Sequence, residues 1–182
     1  MSFAGGRYAL GAIQADHARE QWDRDAARRI VAQSRADAVH RAITGKIVAG
    51  APVARVLSRK IGLDAIVLEG VSDDELNGGP GHFPGSALPG DPGNAVISAH
   101  RDRHFNHLDA LQIGDTVMTE TDTRRTTWVV RDRRIIDKNA PALFRTTDAT
   151  LTLTTCWPMR YVGPAPERLI ITAKPIRRPA RS

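Results

Sequence analysis

The sequence predicts a mainly β domain, a barrel or sandwich, that carries an N-terminal helical arm and one or two short helices. Three observations lead there. From Lys46 onward, short β-rich runs alternate with clusters of Gly, Pro, Asp and Asn. Before that point, the stretch between Gly11 and Gly45 contains neither Gly nor Pro. Between the two β-rich halves lies a glycine- and proline-dense segment that cannot form regular structure along its length.

The arm comes first. Its composition is rich in Ala, Arg, Asp and Gln, and Trp22, Ala26 and Ile30 recur at helical spacing. The apolar stripe is thin and the surface highly charged, which suits a stalk at the edge of a domain better than a core helix. The organisation expected is therefore an arm over 1–45, a β domain over 46–176 and a basic tail over 177–182.

Within the domain, strands are expected near Val53 to Ser58, Ala65 to Glu69, Ala95 to Ala99, Asp115 to Thr121, Arg125 to Ile136, Leu151 to Thr155 and Leu169 to Pro175. The best short-helix candidate is Asp102 to Leu111. Asn77 to Asn94 holds six glycines and four prolines in eighteen residues, so it reads as a loop without regular structure. A loop of that length inside a compact domain is usually functional. It leads directly into the Ala95 strand, which favours an ordered loop lining a site.

Composition narrows the function classes. The 182 residues carry a net charge of +6 with a single cysteine, so no internal disulfide can form. The basic clusters, Arg131 with Arg133 and Arg134, and Arg177 with Arg178 and Arg181, are short and lack interleaved aromatics. They read as solvated faces, and nucleic-acid binding is disfavoured. No run reaches the ~18 apolar residues needed to span a bilayer, and Met1 to Ile13 is too short and glycine-rich to be more than a remnant of one.

The lone cysteine then carries the chemistry. In Leu151-Thr-Leu-Thr-Thr-Cys156, strand alternation puts Leu151, Leu153 and Thr155 on one face and Thr152, Thr154 and Cys156 on the other. A cysteine that only filled the core would sit with the leucines. Pro158 ends the strand and leaves the thiol beside a loop, where catalytic groups tend to lie. If the strand opening at Arg168 pairs antiparallel with this one, Arg168 falls next to Cys156. Its guanidinium there brings a positive charge to a thiolate and hydrogen-bond donors to an oxyanion. The nucleophile also needs a group that takes and returns a proton. Of the six histidines, His100 is the best placed, because it ends the apolar run Ala95-Val-Ile-Ser-Ala99. The spacing of His100, His104 and His107 raises a metal site as an alternative, but no acidic or cysteine ligand is near in sequence.

These motifs resemble the sortases, cysteine transpeptidases that cleave a cell-wall sorting signal and join the acyl fragment to an amine. The resemblance rests on L-T-L-T-T-C at Leu151 to Cys156, N-A-V-I-S-A-H-R-D at Asn94 to Asp102, and E-R-L-I-I-T-A-K at Glu167 to Lys174. G-P-G-H at Gly79 to His82, L-P-G-D-P-G-N at Leu88 to Asn94, and V-G-P-A-P-E-R at Val162 to Arg168 look like the class D and class E branches. It covers roughly Lys46 to Ile176, and it implies a closed eight-stranded barrel.

The resemblance also implies roles: Cys156 as nucleophile, His100 as general acid and base, and Arg168 as oxyanion and positioning group. Thr155, Ala99 and His82 are the candidate substrate-binding residues, with an exposed loop histidine an equal reading for His82. Asp102 either orients His100 or caps the following turn. No metal or organic cofactor is implied. The implied partners are a peptide sorting signal and an amine acceptor on a wall, pilin or other surface protein. Family members usually carry a transmembrane helix, which the sequence does not show; the implied location is extracytoplasmic, at the cell surface or membrane-associated.

The sequence departs from the family in two places. Ser98-Ala99-His100 stands where A-G-H is common, and Thr154 stands where a bulky aliphatic often precedes T-C, making the pocket edge more polar. Two rival readings remain, a cysteine endopeptidase in which water resolves the intermediate, and a non-catalytic basic module for an anionic polymer.

Overall fold

The computed structural model describes residues 47–140 and 146–176. The helical arm and the basic tail expected from the sequence lie outside the described residues.

Eight strands close a barrel in the order β1-β2-β3-β4-β7-β8-β6-β5, with β5 returning to pair with β1. They are β1 (Pro52–Ser58), β2 (Leu63–Glu69), β3 (Gly81–His82), β4 (Asn94–Ser98), β5 (Thr116–Glu120), β6 (Arg125–Asp137), β7 (Thr150–Trp157) and β8 (Glu167–Pro175). Alternation does the folding. Val56 and Val67 from β1 and β2, Ala95 and Ile97 from β4, Leu151 and Leu153 from β7, and Leu169 and Ile171 from β8 turn inward into one core. Each buried Val, Leu or Ile contributes about 1.5–3 kcal/mol relative to an exposed one. Trp128 of β6 fills the barrel beside them, its indole N–H donating to Thr119 Oγ1 at 2.8 Å.

The sequence reading missed one strand and one helix. The segment Asn77 to Asn94 was expected to hold no regular structure, yet β3 lies inside it. Two residues suffice: Leu68 and Glu69 of β2 pair in parallel with Gly81 and His82, which pair antiparallel with Ser98 and Ile97 of β4. Glycine is required at 81, because a Cβ there would meet the Gly70 carbonyl oxygen at 2.1 Å. A short helix, α1 (Asp73–Gly78), precedes it and opens on a capping box between Ser72 and Glu75. The S-x-x-E signature stood in the sequence but led no apolar run.

Asp102 to Leu111 corrects the reading in the other direction. It forms successive turns and a single 3₁₀ turn, Leu108–Ala110, in place of a helix. Phe105, Leu108 and Leu111 are fully buried, and their strict three-residue spacing matches turns closed by i to i+3 bonds such as Leu108 N–H to Phe105 O.

Candidate active site

Cys156 is set by β7. Leu151, Leu153 and Thr155 turn inward, so Thr152, Thr154 and Cys156 face out; the first two are covered, whereas Cys156 is exposed as a free thiol. On β8, Leu169 and Ile171 belong to the core and Arg168 faces out. The antiparallel register places Cys156 directly opposite Arg168. Directly paired residues share a sheet face with Cβ atoms about 4.5–5.5 Å apart.

The other neighbour of β7 is β4, which runs parallel to it with Ser98 opposite Thr154. The backbone contact continues one step further, as Ala99 N–H donates to Thr154 O at 3.2 Å. His100 follows Ala99 directly, two residues past the end of β4. It is half-buried, and its carbonyl accepts from the N–H groups of Arg103 and Phe105, which turns the chain away from the barrel. Cys156 and Arg168 are therefore paired across β7 and β8, and His100 follows the end of the adjacent strand β4.

A model of the sortase domain family matches residues 59–176. The chain belongs to the sortase family. Sortase D of Bacillus subtilis (strain 168) is 34% identical over 117 residues, which is 63% of this chain and 59% of that protein, so the match spans less than two thirds of the relative's length. A sortase D5 transpeptidase from Clostridium perfringens superposes with a TM-score of 0.67 at 27% identity, covering 75% of this chain and 86% of that one. Sortase C from Clostridium perfringens SM101 gives 0.64 at 25% identity over 72% of this sortase and 73% of its own chain. Both place the closed barrel read above among sortase structures.

The three residues expected to meet substrate are all buried. Thr155 and Ala99 face the interior, 4% and 5% exposed, and hold each other: Thr155 Oγ1 donates to the Ala99 carbonyl at 2.7 Å. Alternation had already put Thr155 on the leucine face, so its neighbour relation to Cys156 gave it no access to the outside. The pair locks β7 to β4 one residue before both Cys156 and His100. His82, 1% exposed, has both ring nitrogens engaged, Nδ1 with Glu69 Oε2 at 2.6 Å and Nε2 with Ala87 O and Ser86 Oγ at 2.9 Å each. It tethers the glycine loop from within and offers no edge to a ligand.

Replacing Thr155 with valine removes the donor to a buried carbonyl. The variant is expected to lose about 1–2 kcal/mol in urea denaturation. Thr155→Ser, which keeps the hydroxyl, is expected to lose less.

Asp102 is exposed and makes no hydrogen bond among the described residues, so neither role considered for it finds a partner. His104 and His107 do not join His100 in a metal cluster; among the described residues no group of three or more His, Cys, Asp or Glu is arranged to hold one. Sequence reasoning passed over Arg101. Its guanidinium donates to the carbonyls of Pro158, Tyr161 and Gly163, partners 57 to 62 residues away that no local pattern announces.

A cavity of about 740 Å³ opens on the outer face of β4, at the end away from His100. Phe83, Ser86 and Ala87 of the glycine loop, Asn94 and Val96 of β4, and Thr146 before β7 line it. Between the cavity and Cys156 lies the outer surface of β4 and β7. There Thr152 Oγ1 donates to Asn94 Oδ1 at 2.8 Å, and the buried Thr154 hydroxyl has no hydrogen-bond partner among the described residues. Among the described residues, no helix is long and apolar enough to cross a membrane.

Proposed function

We propose that this sortase is a cysteine transpeptidase that cleaves a Leu-Pro-x-Thr-Gly-like sorting signal through a thioester on Cys156 and passes the acyl fragment to an amine. The observation that carries the reading is an exposed thiol with a guanidinium paired across one strand boundary, beside a strand that ends two residues before His100. Acyl transfer needs these three groups in reach of one carbonyl.

In this mechanism the Cys156 thiolate attacks the carbonyl carbon of the signal's threonine, or of an equivalent small residue. The negative charge that develops on the carbonyl oxygen is met by Arg168. The tetrahedral intermediate collapses as His100 gives a proton to the departing glycine amine, leaving the thioester. An incoming amine, deprotonated by His100, attacks the thioester, forms the new amide and releases Cys156. No step calls for a metal or an organic cofactor.

The cavity supports the substrate class. An extended peptide advances about 3.3 Å per residue. Val96 pairs with Thr152, four residues before Cys156 on β7, so a chain lying along the outer face from Cys156 reaches the cavity about four residues upstream of the scissile bond. That is where the leucine of such a signal falls. Phe83, Ala87 and Val96 offer an apolar side there and Ser86, Asn94 and Thr146 a polar one. The working location in this reading is the extracytoplasmic surface of a bacterium, with a surface protein as donor and a wall, pilin or other surface amine as acceptor.

Intact-mass measurement tests the proposal. Mixing the protein with peptides of the Leu-Pro-x-Thr-Gly and Leu-Ala-x-Thr-Gly types should add the mass of the acyl fragment. Oligoglycine should then convert the adduct into a new amide product. Acid as the sole product in saturating amine would favour an endopeptidase, and no adduct with any such peptide would overturn the sortase chemistry proposed.

A further inference from the structure

We propose that Arg101 is a positioning residue that holds the loop between β7 and β8 in the shape required for peptide to react at Cys156. This loop leaves β7 just after the nucleophile and enters β8 just before Arg168, so its path frames both groups. Arg101 follows His100 directly. One side chain thus joins the segment carrying the imidazole to the segment connecting the thiol with the guanidinium.

The contacts are specific. Arg101 Nη1 donates to Pro158 O at 3.0 Å, and Nη2 donates to Tyr161 O at 2.9 Å and Gly163 O at 3.0 Å. The guanidinium carbon also sits 5.7 Å from the centroid of the Tyr161 ring, within range of a cation–π contact. Three carbonyls converging on one cation make charge-assisted bonds, roughly twice as strong as neutral ones.

Little else holds this stretch. Tyr161 is 47% exposed and Val162 fully exposed, so apolar packing contributes little to its shape. Gly163, at φ +95°, takes a backbone conformation other residues adopt poorly, and it turns its carbonyl onto the guanidinium. A planar fork with several donors can serve three oxygens at once; a lysine ammonium is a single point charge on a flexible stem.

The kinetic part of the inference rests on the acyl-transfer reading, whereas the structural part does not. Arg160 gives a direct probe of the loop, because it is exposed within it and is a trypsin site. Arg101→Ala and Arg101→Lys would be compared with the unsubstituted protein for the rate of tryptic cleavage after Arg160, read by fragment mass, and for kcat and KM with a peptide that forms the acyl-enzyme. Arg101→Ala is expected to be cut about tenfold faster or more, with Arg101→Lys between. Its kcat/KM is expected to fall about 10- to 100-fold, the scale of a misplaced positioning group, while the melting temperature moves little.

Equal cleavage rates in the three proteins would overturn the proposal. So would faster cleavage with unchanged kcat/KM, since the shape of the loop would then not matter to the reaction. Failure of the acyl-transfer reading shows separately, as absence of an acyl adduct in the unsubstituted protein; the tryptic rates then still decide whether Arg101 holds the loop.

Discussion

Cys156→Ala is expected to abolish acyl-enzyme formation and to reduce turnover of a sorting-signal peptide to background, a loss on the order of 10⁶-fold by analogy with removal of other catalytic nucleophiles. The substitution removes one sulfur atom from an exposed side chain at the barrel rim, so the fold has little reason to respond. Surface changes of this kind stay within about 0.5 kcal/mol. Activity and stability should therefore separate cleanly, with an unchanged melting curve beside a dead enzyme. Arg168 supplies the graded comparison. Arg168→Ala is expected to lower kcat by about 10²- to 10³-fold, the scale of losing one oxyanion donor. Arg168→Lys keeps the charge without the planar fork and should fall between. Combining Arg168→Ala with Cys156→Ala should cost no more than Cys156→Ala alone, since groups that act in one step are not additive. A Cys156→Ala protein that still exchanged peptide for amine would place the nucleophile elsewhere and remove the basis of the proposed mechanism.

The closed barrel was legible in the sequence, and so was the pairing of Cys156 with Arg168. Alternation over Leu151 to Cys156 sorted one face from the other, and a single assumption of antiparallel pairing put Arg168 beside the thiol, as the register has it. Both inferences depend on local order within strands, which period-two patterning records directly. The glycine loop is different. β3 has only two residues, one of them a glycine chosen for a close backbone approach, so no periodicity can develop there. The inward direction of Thr155 was contained in the alternation over Leu151 to Cys156. Arg101 could not be read at all. Its partners are main-chain carbonyls, which leave no trace in residue identity, and only the closed barrel brings them together.

The second large effect is expected at β3, the strand beside β4, where His82→Ala should lower stability by about 3 kcal/mol, the scale for stripping a partner from a buried ionisable pair. Strand β3 joins β2 to β4 through just two residues on each side, so backbone pairing alone closes this seam weakly. The side chains make up the difference. His82 reaches Glu69 on β2 through Nδ1, and Ser86 and Ala87 in the glycine loop through Nε2; Ser86 Oγ in turn accepts from Val96 N–H on β4 at 3.3 Å. Every member lies within the fold, and Glu69 is 6% exposed. Loss of the imidazole leaves that carboxyl buried beside the space the ring occupied. A domain of this size shifts by about 3–4 °C per kcal/mol, so the melting temperature should drop by about 10 °C. Glu69→Gln keeps an oxygen to accept from Nδ1 and should cost less. Because the deficit comes from the orphaned partner, the double variant Glu69→Leu with His82→Ala should be less destabilised than the sum of its single changes, with a coupling of about 1–3 kcal/mol. The cavity gives a functional readout, since Phe83, Ser86 and Ala87 stand on the same tether. Peptide KM is expected to rise in His82→Ala while kcat in saturating peptide holds, the reverse of the pattern at Arg168. If His82→Ala and Glu69→Leu both melted within about 2 °C of the unsubstituted protein, the two-residue strand would be closing the barrel by backbone pairing alone.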